Sequence, residues 1–400
     1  MKEISRIAST VQASSTLAVD AKFKQMKADG LPVVGFGAGE PDFDTPQHIK
    51  DAAIAAIRRG ETKYTPSAGI VPLRKACSAF LKRELGVDYE WDSIVVSSGA
   101  KHCLFAVWYT LLNPGDEVIC PVPYWVSYAE QIRLLGGVPV SVDPGEENGY
   151  KLQPEQLEAA ITPATKVLLL NNPVNPSGVV YSREELLAVC EVCVKHDLYI
   201  VADEVYYCLT YDGKPFTSVA SLGEEIRSRT IEINAVSKAY AMTGWRCGFA
   251  ACCNKTIAKA MANCISHTTG GIATMNQYAM IEALTGPQDS VEIQRAEFEK
   301  RRNYLTSRLD AIPTVSYIQP EGAFYVMMSM AQYIGKKLGG KLIQNADDFS
   351  EAFLDNQMVA VVACTGFGCP KYVRWSYATS MDNIREGVDR LEKFLATVEE

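Results

Sequence analysis

Short apolar runs alternate with amphipathic stretches from about residue 93 to residue 253, and this alternation restricts the chain to few folds. The apolar runs are strand-sized, whereas intervening stretches such as 154–160 and 183–195 have helical periodicity. Continuously apolar strands separated by helices are typical of a parallel sheet covered on both faces. We therefore predict an α/β fold whose large domain contains a mostly parallel, seven-stranded sheet flanked by helices. The predicted strands are 94–96, 117–120, 138–142, 166–170, 199–202, 231–233 and 247–250.

A different pattern begins after about residue 286. Residues 291–309 are dense in charge and predict one long helix, and a final helix is predicted near 381–398. Strands are predicted at 322–326, 359–362 and 372–377. This order suits a smaller α+β domain, and 400 residues exceed one typical domain. We predict a large domain at 47–286 and a small domain formed by 1–46 together with 287–400.

The net charge and the apolar content of the sequence argue against several classes of partner. The chain carries a formal net charge of −8, which disfavours binding to nucleic acid and to anionic membranes. Residues 1–7 contain no long apolar stretch, so we expect no secretion signal. No run of about eighteen apolar residues occurs, so we expect no membrane span. A cytoplasmic protein is therefore predicted.

The twelve cysteines are scattered through apolar segments, as at Cys103, Cys120 and Cys208, and do not form a disulfide framework. This distribution indicates small core residues of a reduced, cytosolic protein. The Cys-x-x-Cys pair at Cys190 and Cys193 lies in a stretch of helical periodicity, and none of the four histidines is spaced to join it. We therefore expect no metal site.

The lysine Lys238 follows the acidic residue Asp203 by thirty-five residues and lies shortly before Arg246. Asp203 follows a predicted strand and Arg246 lies in a turn, which is the arrangement that a pyridoxal phosphate enzyme needs. The lysine amine can condense with the cofactor aldehyde as a Schiff base, the acid can pair with the pyridinium nitrogen, and the arginine can hold the phosphate. A lysine taken alone is more often a solvated surface residue, but its neighbours here favour the catalytic role.

Two further polar segments follow predicted strands, where ligands of parallel α/β sheets bind. The segment 97–102 places small residues at the start of a predicted helix, whose free backbone N–H groups suit an anion such as phosphate. It is not a Walker loop, and the glycine-rich segment 35–39 lacks the spacing of a dinucleotide fingerprint. In 171–178, two prolines and a glycine fix a turn that aims the Asn175 amide. Taken singly, each segment is also typical of an ordinary turn.

The order of these motifs along essentially the whole chain resembles that of the class I aminotransferases of fold type I, especially the branch that contains bacterial aspartate aminotransferases. The resemblance implies a pyridoxal 5′-phosphate cofactor and a mobile small domain that closes over the substrate and excludes water. The motifs that carry the resemblance lie at 39–42, 63–66, 99–101, 123–128, 175–178, 203–206, 237–238, 244–246 and 373–377.

The resemblance assigns five side chains to the cofactor ring. Lys238 would form the Schiff base and, once displaced by substrate, would carry the proton between the substrate Cα and the cofactor. Asp203 would keep the ring nitrogen protonated, since a nearby opposite charge favours the charged form. Tyr206 and Asn175 are similar to the pair that hydrogen-bonds the 3′ oxygen, and Trp125 is similar to the aromatic residue that stacks on the ring. The predicted catalytic residues are therefore Lys238, Asp203 and Tyr206.

The resemblance also implies a phosphate cup that two subunits share. Tyr64 would complete the cup of the other subunit, which implies a homodimer with shared active sites. Ala235 stands where some family members have a serine, so the cup would have one donor fewer. The residues of the same subunit that are predicted at the cup are Gly99 and Ala100 through their backbone, Lys101, Ser237 and Arg246.

Two cations are predicted to bind the two carboxylates of a substrate. Arg374 resembles the arginine that grips the α-carboxylate, because its planar guanidinium matches two oxygens. Lys101, together with Thr16, resembles positions that meet the distal carboxylate of aspartate or glutamate in one bacterial subgroup. The alternative is that Lys101 serves only the phosphate region. Further substrate contacts are implied for Gly39, Trp125 and Asn175.

The resemblance implies an aspartate transaminase, which exchanges L-aspartate and 2-oxoglutarate for oxaloacetate and L-glutamate by a ping-pong mechanism. Prephenate transaminases of a sister subgroup share the threonine and the lysine but usually have an arginine where this chain has Thr10. That difference favours aspartate and leaves prephenate, or a broader range with aromatic acids or alanine, as alternatives. A C–S β-lyase on the same fold is a less favoured alternative. The acidic charge disfavours a cofactor-binding transcriptional regulator.

Overall fold

The computed structural model describes residues 3–5 and 15–399, and the side chains of residues 15–18 and 20 lie outside that description. In this part of the chain, no helix is both long enough and apolar enough to cross a bilayer. The strands are β1 (Val34–Gly35), β2 (Ile94–Ser97), β3 (Glu117–Pro121), β4 (Val138–Val142), β5 (Thr165–Asn171), β6 (Tyr199–Asp203), β7 (Thr230–Ala235), β8 (Gly248–Cys252), β9 (Ser316–Ile318), β10 (Tyr325–Ser329), β11 (Lys337–Leu338), β12 (Lys341–Leu342), β13 (Val359–Ala360), β14 (Val362–Ala363) and β15 (Tyr372–Ser376).

The α-helices range from four to twenty-two residues. They are α1 (Ser15–Ala28), α2 (Gln47–Arg58), α3 (Val71–Leu85), α4 (Ala100–Leu111), α5 (Ser127–Leu134), α6 (Pro154–Ala160), α7 (Arg183–Lys195), α8 (Glu224–Arg229), α9 (Val236–Ala239), α10 (Lys255–Thr268), α11 (Thr274–Thr285), α12 (Asp289–Asp310), α13 (Ala346–Gln357) and α14 (Met381–Leu395). The sequence predicted α6 and α7 with these bounds. Ser182 begins α7 with a capping box, in which its hydroxyl accepts from the Glu185 N–H and the Glu185 carboxylate accepts from the Ser182 N–H.

The largest sheet has seven strands in the order β2-β8-β7-β6-β5-β3-β4, which confirms the predicted sheet. Neighbouring strands are parallel from β7 through β6, β5 and β3 to β4. β8 is antiparallel to both of its neighbours, β2 and β7. The amino end of β8 therefore lies at the same edge of the sheet as the carboxyl ends of the other strands.

Helices cover both faces of this sheet, as the apolar strand sequences predict. In β5, Leu168 and Leu170 pack in one buried cluster with Leu186 of α7. The alternate residues Val167 and Leu169 pack in another cluster with helices α4 and α10. Because side chains alternate between the two faces of a strand, β5 must be apolar at successive positions to fill both layers.

A second sheet is formed by strands between residues 316 and 376. It is antiparallel and has four strands in the order β14-β15-β10-β9. The predicted strand 359–362 is instead two short strands, of which β13 pairs with β1 and β14 pairs with β15. The predicted strand 322–326 begins only at Tyr325, because Ala323 has φ +57° and bends the chain before it. Val34 and Phe36 share one core cluster with β15 and α14. The domain bounds at 46/47 and 286/287 stay a prediction.

Candidate active site

A cavity of about 470 Å³ opens at the edge of the large sheet where the parallel strands end. β5, β6 and β7 end at Asn171, Asp203 and Ala235, and all three residues line the cavity. The antiparallel direction of β8 brings Arg246, two residues before its amino end, to the same edge. The residues predicted from sequence that line the cavity are Gly39, Ala100, Lys101, Trp125, Asn175, Asp203, Tyr206, Ser237, Lys238, Arg246 and Arg374.

Three predicted site residues are not part of this lining. Gly99 immediately precedes Ala100 and has its backbone against the Arg246 guanidinium. Tyr64 has a fully exposed side chain in the protomer. Thr16 lies in α1, but its side chain is outside the described part of the chain, and Thr10 lies outside the described residues altogether.

Lys238 lies in α9, the short helix that follows β7 directly. Its Nζ donates a hydrogen bond to the carbonyl oxygen of Gly39. Burial lowers the pKa of this amine to about 8, and the charges of Arg246 and Arg374 act in the same direction while Glu40 opposes them. A lowered pKa leaves a larger neutral fraction of the amine near neutral pH, which a nucleophile or a general base requires.

Asp203 is a buried carboxylate at the end of β6. Its Oδ2 accepts from the Tyr128 hydroxyl at 2.7 Å, and its Oδ1 accepts weakly from the Val205 N–H at 3.4 Å. Burial raises its pKa to about 6, although both hydrogen bonds and the charge of Lys238 oppose the rise. Among the described residues, no cation forms a salt bridge with it. The carboxylate is therefore suited to a cationic group of a ligand.

The start of α4 forms a seat for an anion. Gly99 has φ +77°, and a Cβ at this position would lie 2.8 Å from Arg246 Nη2. A Cβ at Gly248 would lie 2.5 Å from the Ala100 nitrogen, so β8 packs directly against the helix start. Arg246 has φ +55°, and its Nη1 donates to the Thr243 carbonyl at 2.8 Å. The free N–H groups of a helix start and a guanidinium together suit a phosphate.

Arg374 is a buried cation of β15 whose side chain is held without a carboxylate. Its Nη1 donates to Asn175 Oδ1 at 3.1 Å, and its Nη2 donates to the Gly37 carbonyl at 2.9 Å. The guanidinium lies 4.4 Å from the ring centre of Tyr325 and 5.3 Å from that of Phe367. Within the described chain, it has no salt-bridge partner, and its Nε has no hydrogen-bond partner. A buried charge without a counter-ion favours an anionic ligand.

Lys101 supplies a second cation on the cavity wall. Its Nζ lies 4.7 Å from the ring centre of Trp125. Burial lowers the pKa of this amine, and the nearby charge of Arg246 lowers it further. The described residues give it no salt-bridge partner either. Arg374 and Lys101 therefore both face the cavity with unmatched charge.

The structure adds cavity residues to those that the sequence predicted. Tyr128 is the last residue of the motif 123–128. Its hydroxyl donates to Asp203, which lies 75 positions away in the sequence. Tyr325 was assigned only to a strand, yet its hydroxyl lies 2.9 Å from that of Tyr206. Asn171 ends β5 and donates from Nδ2 to the Asp203 carbonyl at 2.8 Å. The other added residues are Lys24, Gly37, Ala38, Glu40, Ser127, Val205, Ala235 and Thr243.

The chain is similar to known proteins over almost all of its length. The family model described as "Aminotransferase class I and II" matches residues 32–391. The aspartate aminotransferase of Bacillus subtilis (strain 168) is 46% identical over 395 residues, which cover 99% of each chain. A probable aspartate/prephenate aminotransferase of Aquifex aeolicus (strain VF5) is 43% identical and covers 98% of each chain. A solved structure of Thermus thermophilus aspartate aminotransferase with maleate has a TM-score of 0.92 at 40% identity, covering 98% of this chain and 100% of that chain.

Proposed function

Because the chain belongs to the class I and II aminotransferases, we propose that it is a pyridoxal-phosphate-dependent aspartate transaminase. It would transfer the amino group of L-aspartate to 2-oxoglutarate and release oxaloacetate and L-glutamate in two half-reactions. The observation that carries the proposal is that two cations, the buried Arg374 and the more exposed Lys101, face one cavity without carboxylate partners among the described residues. A dicarboxylate substrate would satisfy both charges.

The described residues fit pyridoxal phosphate. The tight approach of Arg246 to Gly99 leaves no room for a side chain at the helix start and suits the phosphate. Asp203, which has no cationic partner in the described chain, would pair with the ring nitrogen, and Lys238 Nζ would bind the aldehyde carbon covalently. When bound, the cofactor supplies an electron sink for the substrate Cα and carries the amino group between the half-reactions.

The chain's own residues orient the substrate and move its proton. Arg374 would grip the α-carboxylate with the two guanidinium nitrogens that Asn175 and Gly37 hold in place. Lys238, with its pKa lowered to about 8, is positioned to accept the proton of the substrate Cα as a general base. Tyr128 keeps the Asp203 carboxylate oriented through its 2.7 Å hydrogen bond.

Relatives support a dicarboxylate substrate and keep one alternative open. The similar Thermus thermophilus protein was solved with maleate, which is a dicarboxylate. The similar Aquifex aeolicus protein is named for prephenate as well as aspartate. Prephenate carries two carboxylates too, so the two cations suit either substrate, and the choice between them requires a direct test.

The test is a screen of half-reactions with the cofactor-loaded protein. Aspartate, glutamate, alanine, tyrosine and arogenate are added singly, and the conversion of the cofactor to its amine form is followed by absorbance. We expect aspartate and glutamate to react with the highest kcat/KM. A clear advantage for arogenate would favour the prephenate alternative, and pyruvate release from cystathionine that exceeds transamination would favour a β-lyase.

Replacing Lys101 by glutamine is expected to lower kcat/KM for aspartate roughly 10- to 100-fold, because a charge-assisted hydrogen bond contributes about 1.5–3 kcal/mol. Alanine has no distal carboxylate, so its kcat/KM should change by less than about threefold. The matched control is Lys255→Gln, since Lys255 pairs with Asp92 on the surface. Equal losses for aspartate and alanine would show that Lys101 serves the phosphate region instead.

The raised pKa of Asp203 predicts a pH dependence in the cofactor-free protein. Its carboxyl titrates near 3.8 in the unfolded chain and at about 6 in the folded one, so the folded state holds its proton more tightly. Stability is therefore lost as the pH rises from about 4 to about 6, by about 3 kcal/mol for such a shift. Urea unfolding at pH 4 and pH 7 should show this loss in the parent and a smaller one in Asp203→Asn. Asp203→Asn should also bind the cofactor more weakly at pH 7.

We further propose a homodimer in which Tyr64 reaches the phosphate cup of the other subunit. Tyr64 is fully exposed in the protomer, and Tyr109 and Ile57 are exposed over more than half of their surface. Such aromatic and aliphatic surface is favoured at interfaces between subunits. Sedimentation should give twice the monomer mass of 43.9 kDa, and Tyr64→Phe should weaken cofactor binding. A monomer with full cofactor affinity would contradict this proposal.

We also propose a cytoplasmic location for the protein. The scattered, mostly buried cysteines suit a reducing compartment, where free thiols persist. Fractionation of the source cells should place the transaminase activity in the soluble cytoplasmic fraction. Recovery with secreted or periplasmic proteins would contradict this location.

A further inference from the structure

The segment from residue 37 to residue 45 forms one wall of the cavity without regular secondary structure. Its carbonyl oxygens at Gly37 and Gly39 accept from Arg374 and Lys238. Among the described residues, no backbone-to-backbone hydrogen bond holds this segment; such bonds end at Phe36 and resume at Pro46. Side-chain contacts therefore help to fix the segment beyond Phe36, which carries both of these carbonyl groups.

The ion pair between Arg301 and Asp42 is one of these side-chain contacts, beside the bonds from Thr243 to Glu40 and from Thr45 to the Ala241 carbonyl, both 2.7 Å long. Arg301 Nη1 lies 2.7 Å from Asp42 Oδ1, and only 8% of the Arg301 side chain is exposed. The guanidinium centre lies 5.3 Å from the ring centre of Phe43 and 5.6 Å from that of Phe298. Its Nε binds Glu297 at 3.0 Å on the same helix. The guanidinium is thus held on several sides and offers one fixed anchor to the segment.

The helix that carries Arg301 is itself anchored independently of the segment. The next residue of α12, Arg302, binds both carboxylate oxygens of Asp212 at 2.7 Å. Its Nη1 also donates to the Pro320 carbonyl at 3.0 Å. A bidentate arginine pair fixes geometry as well as charge. Arg301 therefore links a fixed helix to a segment that, within the described chain, has no backbone-to-backbone hydrogen bonds.

We propose that Arg301 is a positioning residue for substrate binding, which acts through Asp42 on the Gly37 carbonyl and so on Arg374. The proposal rests on the proposed function, because it takes the Arg374 guanidinium as the site of the α-carboxylate. Every amino-acid substrate has that carboxylate, so loss of Arg301 should weaken the binding of all of them alike. Replacing Lys101, in contrast, should weaken the binding of dicarboxylates only. The contacts of Arg301 are with Asp42, Glu297 and two phenylalanine rings, so the anion seat at Gly99 and Ala100 should retain its affinity for phosphate groups.

The experiment compares Arg301→Gln with Arg295→Gln, a control on the same helix whose ion pairs with Glu292 and Glu299 do not involve the segment. Arg301→Gln should raise KM roughly tenfold for both aspartate and alanine, as expected for a lost charge-assisted contact, with a smaller change in kcat. Arg295→Gln should leave both KM values near those of the parent. Arg301→Lys should recover part of the loss, because it keeps the charge but not the planar fork.

Two further measurements separate positioning from a general loss of structure. The dissociation constant of pyridoxal phosphate, measured by fluorescence quenching, should be the same in Arg301→Gln and in the parent. Asp42→Asn should raise KM in the same way, and the double variant should be no worse than either single variant, since both break one contact. Asp42 is partly exposed, so this variant reports on the pair even where Arg301→Gln folds poorly.

The outcomes distinguish this inference from the function on which it rests. Failure of the parent protein to react with any amino acid would overturn the proposed function. A reactive parent with unchanged KM values in both Arg301→Gln and Asp42→Asn would overturn the inference alone. Equal losses of substrate and cofactor affinity, or additive losses in the double variant, would overturn it as well.

Discussion

Replacing Lys238 by alanine is expected to lower the rate of transamination by about 10⁴-fold, the upper range for loss of a proton-transferring group. The structure places the Lys238 amine in the cavity, where the charges of Asp203, Arg246 and Arg374 act on it. Its pKa is lowered to about 8, so a neutral amine is available near neutral pH. The variant should also lose covalent attachment of the cofactor at this position, while phosphate contacts from Arg246 remain.

The measurement combines single-turnover absorbance with aspartate and borohydride labelling followed by peptide mapping. In the parent, reduction should mark the peptide that contains Lys238; in the variant, no peptide should be marked. A small primary amine added to the variant should restore part of the proton transfer, which removal of a merely structural residue would not permit. Lys300→Ala, a change at an exposed position of α12, is the matched control and should retain activity. Full activity of Lys238→Ala would disprove the proposed chemistry.

Much of the site could be predicted from sequence because its residues follow strand ends. Asp203 ends β6, and Lys238 and Ser237 follow β7 within a few residues. Alternating apolar strands and helices indicate a parallel sheet, and parallel strands bring their carboxyl ends to one edge. Local sequence therefore determines both the sheet and the edge at which these polar residues meet. Arg246 joins them because β8 is antiparallel to its neighbours, a direction that strand periodicity could not predict.

The contacts that hold the site could not be predicted in the same way. The Arg301–Asp42 ion pair joins residues 259 positions apart, and the bond between Arg374 and Gly37 joins residues 337 positions apart. Such pairs depend on how the final layers pack, and an arginine on a charged helix gives no sign of which acid it meets. The late start of strand β10, at Tyr325, was also not predicted. The left-handed backbone conformation at Ala323 is usually signalled by a glycine, and this position is an alanine.

Replacing Arg374 by glutamine is expected to lower kcat/KM for aspartate by roughly 30- to 5,000-fold, because truncating one partner of a buried, hydrogen-bonded charge pair costs about 2–5 kcal/mol. The loss should appear mainly in KM, since under the proposed function the arginine would bind the α-carboxylate both before and during the reaction. Arg374→Lys should recover less than half of the lost free energy, because an ammonium lacks the planar pair of donor nitrogens that Asn175 and Gly37 hold in place. Steady-state kinetics with aspartate and alanine should show similar losses for both.

Arg374→Gln should lower activity without lowering the stability of the ligand-free protein. Arg374 is 2% exposed and has no carboxylate partner among the described residues, so the ligand-free protein bears the cost of a buried, unmatched charge. Arg374→Gln should therefore be no less stable to urea than the parent without ligand, although it loses two hydrogen bonds. Maleate should raise the unfolding midpoint of the parent and not that of the variant, because only the parent gains a counter-ion. A variant that is strongly destabilised and equally stabilised by maleate would show that Arg374 supports the fold rather than the substrate.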